Sequence, residues 1–395
     1  MRFHSLTFSK VLRVLRRLVL SLVINSLALT VLCITYPIRS FRIKTYLSSQ
    51  PNPKIVLLAF FGRGLGDCIY FSGLLMSIRK KFPSARIRLA ILSQMKDYFS
   101  GNPFVDEILP CPDYFNGSFR EYIRYFSSAR NVGPVDILLE LCPNLLLAPG
   151  VWSWIVPKRL SIGIGDSLKR IFYDKPVPIE WQKPFFEAML PGLEPFAIKV
   201  NEMSFWIPQD AQIDELFEFR APYKKAIVIA PGGKRNVEAP KDYCWTFKGF
   251  SSVTNRLIAE GHWVMLVGAE YDRVSIHGIE SSHRLLNLIG KTSIRQLFVI
   301  IQRYARLVVC NNSGLLHVAS VLNIPTVSYA DPQENILRWG PYPPFGHHSI
   351  LQDQPNHKVS PEELFQAILN SLKSNTNCDS TTKKGTIDVS DHQRP

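Results

Sequence analysis

The sequence has only seven cysteines among 395 residues, and no two of them stand at Cys-x-x-Cys spacing. Their odd number and wide scatter exclude a zinc ribbon and a disulfide scaffold, and they favour a reducing compartment. A Gly-x-Gly-x-x-Gly fingerprint is also missing, which argues against a nicotinamide-linked oxidoreductase. Hydrophobic residues make up 46% and charged residues 20%, a balance that excludes a wholly disordered or fibrous chain. The length is enough for two domains.

Acidic side chains are absent from residues 1–54, which contain nine of the 46 lysines and arginines. Much of the formal net charge of +14 is therefore concentrated near the N-terminus. Because this basic segment adjoins an apolar run, it indicates a membrane with anionic headgroups rather than a nucleic acid.

The apolar run covers residues 18–36 and contains no charged side chain. As a helix it would span roughly 28 Å, about the thickness of the hydrocarbon core of a bilayer. We expect a membrane anchor that spans or inserts deeply. Three alternatives stay open: a helix lying in the interface, a cleaved signal peptide, although no Ala-x-Ala-like site follows, and a buried helix of a soluble domain. We assign residues 1–50 to this anchor and its linker.

The anchor is followed by a pattern typical of a parallel α/β sheet. Residues 54–60 form an unbroken apolar run, as in a strand buried on both faces. A glycine-rich turn over residues 61–67 follows, and apolar residues then recur at helical spacing until Pro83 ends the predicted helix. Further strands are predicted over residues 87–92 and 135–139. This β-α-β alternation favours an open α/β fold.

The second half of the chain repeats the pattern from residue 225 onward. Strands are predicted over residues 226–230, 263–267, 286–289, 307–310 and 326–329, and Ser293 and Ser360 are predicted to open helices as N-caps. Residues 149–222, which are rich in Pro and Trp, are interpreted as the end of the first domain and the crossing to the second. We therefore place domains at residues 51–205 and 206–373, with a disordered tail at 374–395.

Three turns at predicted strand ends carry residues capable of chemistry, and the first contains Asp67. Gly62, Gly64 and Gly66 precede it, and their lack of side chains lets a substrate approach the backbone closely. A helix N-cap is the simpler interpretation of Asp67. The functional interpretation is a general base at the carboxyl end of the first strand, where open α/β sheets bind ligands. The two interpretations are compatible.

The second turn, residues 311–317, follows a buried strand and opens a helix. Asn312 or Ser313 can cap this helix, and the N–H groups beginning at Gly314 form, with the helix dipole, an anion site. His317 taken alone is more typical of a hydrogen-bonded core histidine. Capping without any ligand is the alternative.

The third turn begins at Pro231 and contains Gly232, Gly233 and Lys234, with Lys241 further along. Two glycines at a strand end followed by cationic side chains fit a clamp for a diphosphate. A solvated basic loop is the alternative. The presence of three such turns at three strand ends supports the functional interpretation more strongly than any one of the turns does alone.

The order and spacing of these segments resemble glycosyltransferase family 9, the lipopolysaccharide heptosyltransferase family. The similarity covers roughly residues 54–345. It rests on the opening strand with its Gly-Asp turn, Ile-Arg-Lys-Lys-Phe-Pro at 78–83, Ala-Pro-Gly-Gly at 230–233, the block over 289–319 with Asn-Ser-Gly-Leu-Leu-His, and Trp-Gly-Pro at 339–341.

The resemblance implies two Rossmann-like domains facing across a cleft, the GT-B architecture, with the acceptor on the N-terminal domain and the nucleotide sugar on the C-terminal one. It implies inverting transfer without a cofactor and without a metal ligated by the protein, which agrees with the lack of an Asp-x-Asp pair. Asp67 matches the family's general base, and Gly64 and Gly66 the acceptor-side loop. The residues implied on the donor side are Gly232, Gly233, Lys234, Lys241, Glu270, Asn312, Ser313, Gly314 and His317.

Asn312 departs from the family pattern, which usually has Asp before the Ser/Thr-Gly pair. This change leaves the donor open between ADP-heptose and other nucleotide sugars. The expected partners are such a donor, a lipid-linked or polysaccharide acceptor such as a lipopolysaccharide core, and a membrane, but no nucleic acid. Because sugar nucleotides are made in the cytosol, we expect the domains on the cytoplasmic face of a membrane, the inner membrane in a bacterium. A catalytically weak sugar-nucleotide- or glycan-binding protein with the same fold is the alternative function.

Overall fold

The computed structural model describes residues 52–114, 118–200, 204–209, 223, 225–232, 244–343 and 347–378, together with isolated positions between 30 and 49. The chain divides into two compact units, Met1–Pro208 and Gln209–Pro395. Each unit contains one six-stranded sheet in which all neighbouring strands run parallel. The predicted α/β class with two parallel sheets is confirmed.

The first unit alternates strands with helices along the chain. Its elements are β1 (Ile55–Phe60), α1 (Leu65–Lys81), β2 (Arg86–Leu92), α2 (Lys96–Phe99), β3 (Glu107–Cys111), α3 (Phe119–Arg130), β4 (Val135–Glu140), α4 (Leu147–Ile155), β5 (Lys158–Ile164) and β6 (Lys175–Val177). The strand order is β3-β2-β1-β4-β5-β6. Because the order reverses between β1 and β4, a crevice opens outside the carboxyl ends of these two strands, where sheets of this kind bind ligands.

The second unit has the same topology. Its elements are β7 (Ala226–Ala230), α5 (Phe247–Ala259), β8 (Val264–Leu266), β9 (Leu285–Asn287), α6 (Ile294–Tyr304), β10 (Ala305–Asn311), α7 (Gly314–Val321), β11 (Thr326–Tyr329), α8 (Ile336–Trp339), β12 (His348–Leu351) and α9 (Pro361–Cys378). The strand order is β12-β11-β10-β7-β8-β9, so the reversal falls between β7 and β10.

Local sequence explains why several of these elements begin where they do. The Ser293 hydroxyl accepts the N–H of Gln296 and the Gln296 side chain accepts the N–H of Ser293, which is the predicted capping box of α6. The Ser360 hydroxyl likewise accepts the N–H of Glu363 at the start of α9. That helix continues to Cys378, five residues into the segment predicted to be a tail.

Helices α3 and α4 cover one face of the first sheet with aromatic side chains. Tyr125 of α3 and Trp152 of α4 are fully buried and meet the ring of Phe61 edge-on, with centroids 5.3 and 5.0 Å away. The Trp152 indole N–H also donates to the Ser128 hydroxyl at 2.9 Å, so the two helices are direct neighbours. This packing fixes the turn that follows β1, because Phe61 is its first residue.

The predicted crossing segment contributes more to the fold than the sequence indicated. Residues 149–222 include most of α4 and the strands β5 and β6, which extend the first sheet to six strands. The third strand β3 was not predicted either. These elements are short and mix polar with apolar residues, so neither strand alternation nor helical spacing stands out in them.

No helix in the described parts of the chain is both long and apolar enough to cross a bilayer. The predicted anchor over residues 18–36 lies outside the described residues, apart from Thr30. Described residues between this segment and β1 do contact the body of the first unit. The Arg39 guanidinium donates to the carbonyl oxygens of Ile171 and Tyr173, each at 2.9 Å.

Candidate active site

Asp67 lies at the carboxyl end of β1, beside the crevice where the strand order reverses. It is the third residue of α1, and the N-cap is Gly64, so Asp67 itself is not the N-cap. Its Oδ2 accepts the N–H of Gly64 at 3.0 Å, which fixes the carboxylate over the turn. A β-carbon on Gly62 would meet Asp67 Cβ at 2.8 Å, and one on Gly64 would meet Oδ2 at 3.2 Å. The two glycines therefore make room for this carboxylate.

The loop after β4 occupies the other side of this crevice. The N–H of Leu141 donates to the carbonyl of Ala59 in β1 at 3.4 Å. Burial, the Glu140 carboxylate and Asp67 together raise the pKa of the Cys142 thiol far above its usual range. The structure thus brings the ends of β1 and β4 together, as the pairing of Ala59 with Glu140 in these two strands requires.

A buried ion pair lies at the base of the same loop. Glu140 and Lys169 are both fully buried, and Lys169 Nζ is 2.8 Å from Glu140 Oε2. The ammonium also donates to the carbonyls of Cys142 and Asn144, at 3.1 and 3.3 Å, and to Asn144 Oδ1 at 3.3 Å. The Tyr173 hydroxyl donates to Glu140 Oε2 at 2.8 Å. Lys169 thus ties the loop beside Asp67 to a charge buried in the sheet.

Burial raises the pKa of Glu140, and the Lys169 ammonium and the Tyr173 hydroxyl oppose that rise. Sequence reasoning missed this cluster. The available signal was Glu140 itself, a charged residue directly after an apolar strand. Its partner Lys169 lies in the 3₁₀ helix Ser167–Phe172, where no motif marks it.

In the second unit, Asn311 links the two strand ends that flank the reversal. Its Nδ2 donates to the carbonyl of Gly232 at 2.9 Å, after β7, and its Oδ1 accepts the N–H of Trp245 at 2.9 Å, before α5. The side chain is buried. The predicted donor-side residue Gly232 is therefore held beside the Asn312–Gly314 turn. Asn311 was not among the predicted site residues, although it precedes that turn directly.

Acidic side chains border the same edge of the second sheet. The Asp272 carboxylate accepts the N–H of Ala269 at 2.9 Å and packs directly on Gly232, leaving no space there for a β-carbon. Glu270 pairs with Arg273 at 2.7 Å. Its side chain lies over Gly290, a residue that follows β9 and has a φ of +71°. The structure thus brings the predicted residues Gly232 and Glu270 to one edge of the sheet and adds Asp272.

Asn312 has a partner that accounts for the amide at this position. Its Nδ2 donates to Glu334 Oε2 at 3.1 Å, whereas an aspartate would place a second carboxylate there. Its Oδ1 is buried and has no hydrogen-bond partner among the described residues. Burial and the carboxylates of Glu334 and Asp272 raise the pKa of the neighbouring Cys244 thiol to about 11. Asn312 is therefore the neutral member of an otherwise acidic group.

The turn after β10 places Ser313 at the N-cap of α7, as predicted. Its backbone is extended, and its hydroxyl makes no capping hydrogen bond within the described residues, contrary to the predicted side-chain cap. The first N–H groups of a helix have no acceptor inside the helix, and those at Gly314 and beyond lie at this edge of the sheet with the positive end of the helix dipole. His317 is the fourth residue of this helix and is buried.

Three predicted donor-side residues, Gly233, Lys234 and Lys241, lie outside the described residues. The part of the candidate site that the structure describes is therefore the start of α7 with acidic and amide side chains around it.

Comparisons with known proteins agree with this arrangement of strands and turns. A family model described as glycosyltransferase family 9 (heptosyltransferase) matches residues 154–368, more than half of the chain. Lipopolysaccharide heptosyltransferase 2 of Escherichia coli K12 is 25% identical over 187 residues, which cover 46% of this chain and 47% of that protein. The matched part thus spans about half the length of that relative.

Solved structures match over more of the chain. A family 9 glycosyltransferase from Veillonella parvula superposes with a TM-score of 0.68 at 19% identity, covering 81% of this chain and 98% of its own. The E. coli ADP-heptose lipopolysaccharide heptosyltransferase II gives a TM-score of 0.62 at 16% identity, covering 81% and 99%. These likenesses show the fold, two α/β domains with parallel sheets as in the GT-B heptosyltransferases. Because the family model covers more than half of its residues, the chain belongs to glycosyltransferase family 9.

Proposed function

We propose that the chain is an inverting glycosyltransferase that moves heptose or a related sugar from a nucleoside diphosphate to a lipid-linked or polysaccharide acceptor, such as a lipopolysaccharide core. The observation that carries the proposal is the Asp67 carboxylate, fixed by the Gly64 N–H at the reversal of the first sheet. Family membership and the start of α7 directly after β10 support it.

In the proposed reaction Asp67 accepts the proton of the acceptor hydroxyl. The oxygen then forms a bond to the anomeric carbon while the bond from that carbon to the diphosphate oxygen breaks. Negative charge develops on the departing diphosphate, and the N–H groups at the start of α7 stabilise it. The buried Oδ1 of Asn312 would accept a hydrogen bond from a donor hydroxyl. ADP-heptose is the first donor to test, because one structural relative is the E. coli ADP-heptose lipopolysaccharide heptosyltransferase II.

The test is the Asp67→Asn variant in a direct transfer assay, with binding of ADP measured by calorimetry. The amide keeps an oxygen that can accept the Gly64 N–H, so the turn should keep its shape. We expect the transfer rate to fall by about 10²–10⁴-fold, the usual contribution of a general base, and ADP affinity to stay unchanged. Asp97→Asn, which removes an exposed carboxylate from the same unit, is the matched control and should transfer normally.

Turnover of Asp67→Asn within tenfold of the unmodified protein would remove Asp67 from this role. If the unmodified chain binds nucleotide sugars but transfers none to any acceptor, the result would instead support the alternative of a binding protein. The departure at Asn312 is the sequence feature that favours that alternative.

We further propose that residues 1–50 hold the protein on the cytoplasmic face of a membrane. The uncharged run over residues 18–36 and the flanking cationic side chains support this location. The full chain should stay with the membrane fraction through washes in high salt and in alkaline carbonate. Release by salt alone would show that no part of the chain is inserted.

A further inference from the structure

Exposed apolar side chains are concentrated on two neighbouring helices of the first unit. Of the eleven large hydrophobic side chains exposed in the described residues, six lie on or just before α3 and α4. The two helices touch through the Trp152–Ser128 hydrogen bond, so their outward sides form one surface. We name it the α3–α4 face, and its apolar members are Phe119, Tyr122, Ile123, Leu145, Leu147 and Trp154.

The degree of exposure sets these side chains apart from ordinary surface residues. Phe119 is 79% exposed, Trp154 64% and Leu145 55%. Apolar side chains scattered singly over a surface are normal, whereas a group of them indicates a binding surface. The inward side of the same helices is already well packed against the sheet, so the outward group is not needed for the core.

The charges on this face favour an anionic partner. Arg120, Arg124 and Arg130 are exposed along α3. The acidic residue on this helix, Glu121, accepts the N–H and the hydroxyl of Ser118 in the capping box. Aromatic and aliphatic side chains interleaved with arginines are typical of helices that lie in the headgroup region of a membrane.

The chain that leads from the predicted membrane segment arrives beside this face. The N–H of Lys54, at the end of this lead-in segment, donates to Asp136 Oδ2 at 2.8 Å, and Asp136 pairs with Arg159 at 3.3 Å, at the amino ends of β4 and β5. Next to Arg159, the Lys158 ammonium donates to the carbonyl of Trp154 at 3.1 Å. The lead-in segment and the C-terminal end of α4 therefore meet at one edge of the unit.

We propose that the α3–α4 face rests on an anionic bilayer surface, with Trp154 and Phe119 in the interface and the arginines at the phosphates. At the other end of the face, Leu145 follows the loop of Cys142 and Asn144 that lies beside Asp67. Contact with the bilayer along this face would therefore bring a membrane-embedded acceptor to the catalytic turn. The inference rests on the proposed membrane location and not on the transfer reaction.

The test uses Trp154 as its own probe in the full chain. The protein is bound to vesicles of phosphatidylcholine with one quarter phosphatidylglycerol, whose acyl chains carry bromine, a quencher of tryptophan fluorescence. Trp154→Phe is compared with Trp181→Phe. Trp181 is the matched control, since it is also exposed in the first unit but follows β6, and its indole N–H donates to Asp166 at 3.0 Å. A third variant combines Arg120→Gln with Arg124→Gln.

We expect the Trp181→Phe chain to keep the bromine-quenched fluorescence and the Trp154→Phe chain to lose part of it. The arginine variant should show less quenching on the anionic vesicles than the unmodified chain does, and the two should differ less on vesicles of phosphatidylcholine alone. Equal quenching in the two tryptophan variants would overturn the proposal. So would a blue shift of the emission that grows with protein concentration in the absence of vesicles and is lost in Trp154→Phe but not in Trp181→Phe, because a second copy would then cover this face. None of these readouts depends on sugar transfer, so they separate this proposal from the proposed function.

Discussion

Lys169→Met should destabilise the first unit strongly, because it breaks the buried ion pair with Glu140. Methionine keeps most of the aliphatic stem, which packs on Gly150 and Gly165, so the change removes mainly the ammonium. Without it the Glu140 carboxylate stays buried with no cation beside it, although the Tyr173 hydroxyl still donates to Oε2. Leaving one member of a buried pair typically costs about 3–5 kcal/mol in the free energy of unfolding. The carbonyl oxygens of Cys142 and Asn144 also lose the Lys169 ammonium as a donor, so we expect a loss toward the upper end of this range.

The second change, Glu140→Gln, tests whether this loss comes from the uncompensated charge. In the double variant no buried charge remains, so we expect it to be about 2 kcal/mol more stable than the sum of the two single losses implies. Lys183→Met is the matched control. Lys183 pairs with Glu180 at 2.8 Å on the surface of the same unit, and an exposed pair contributes little.

The pH dependence of the Lys169→Met variant has a definite sign. Loss of the ammonium raises the pKa of Glu140 further, so the folded state binds the proton more tightly than the unfolded chain does. Stability then increases as the pH falls through the folded pKa toward the pKa of the unfolded chain. The deficit against the unmodified protein should therefore shrink between pH 8 and pH 5.

The assay is urea unfolding of the full chain in mild detergent, with hydrogen exchange read by mass spectrometry to assign the transition to residues 55–177. A loss below about 1 kcal/mol in Lys169→Met would refute the reasoning, since a buried pair would then behave as an exposed one. A double variant whose loss equals the sum of the two single losses would show that the two side chains are not coupled.

Three further predictions concern the second unit. Asn312→Asp should lower the free energy of unfolding by about 1–3 kcal/mol, because its carboxylate would meet that of Glu334, to which the amide now donates. The loss should be smaller at acidic than at neutral pH. Urea titrations equal to those of the unmodified protein under both conditions would contradict this prediction. Alkylation of Cys244 by iodoacetamide, followed by peptide mass spectrometry, should accelerate about tenfold per pH unit between pH 8 and 10, because the pKa of this thiol is about 11. A rate independent of pH would mean that a thiolate is already present. Gly290→Ala should destabilise more than Gly133→Ala, since both glycines have positive φ but only a β-carbon at the first meets Glu270; equal losses in thermal unfolding would exclude that contact.

Local patterns in the sequence were enough to locate most central strands and the turns that follow them. The strands β7 and β11 and the start of α7 lie where the sequence predicted them. Central strands of a parallel sheet are buried on both faces, so they appear as continuous apolar runs between turn residues. The position of Asp67 followed from the same logic, because three glycines between a strand and a helix mark a turn that exposes backbone.

Only the tertiary structure decided which distant side chains meet. Glu140 finds Lys169 across 29 positions of the chain, and Asn311 donates to Gly232 across 79. No local period encodes such pairs, because they arise when strand order brings separate ends together and burial forces each polar group to find a partner. The α3–α4 face was equally hidden. Which side of an amphipathic helix packs on the sheet, and which apolar side chains are left outside, depends on neighbours that the sequence alone does not name.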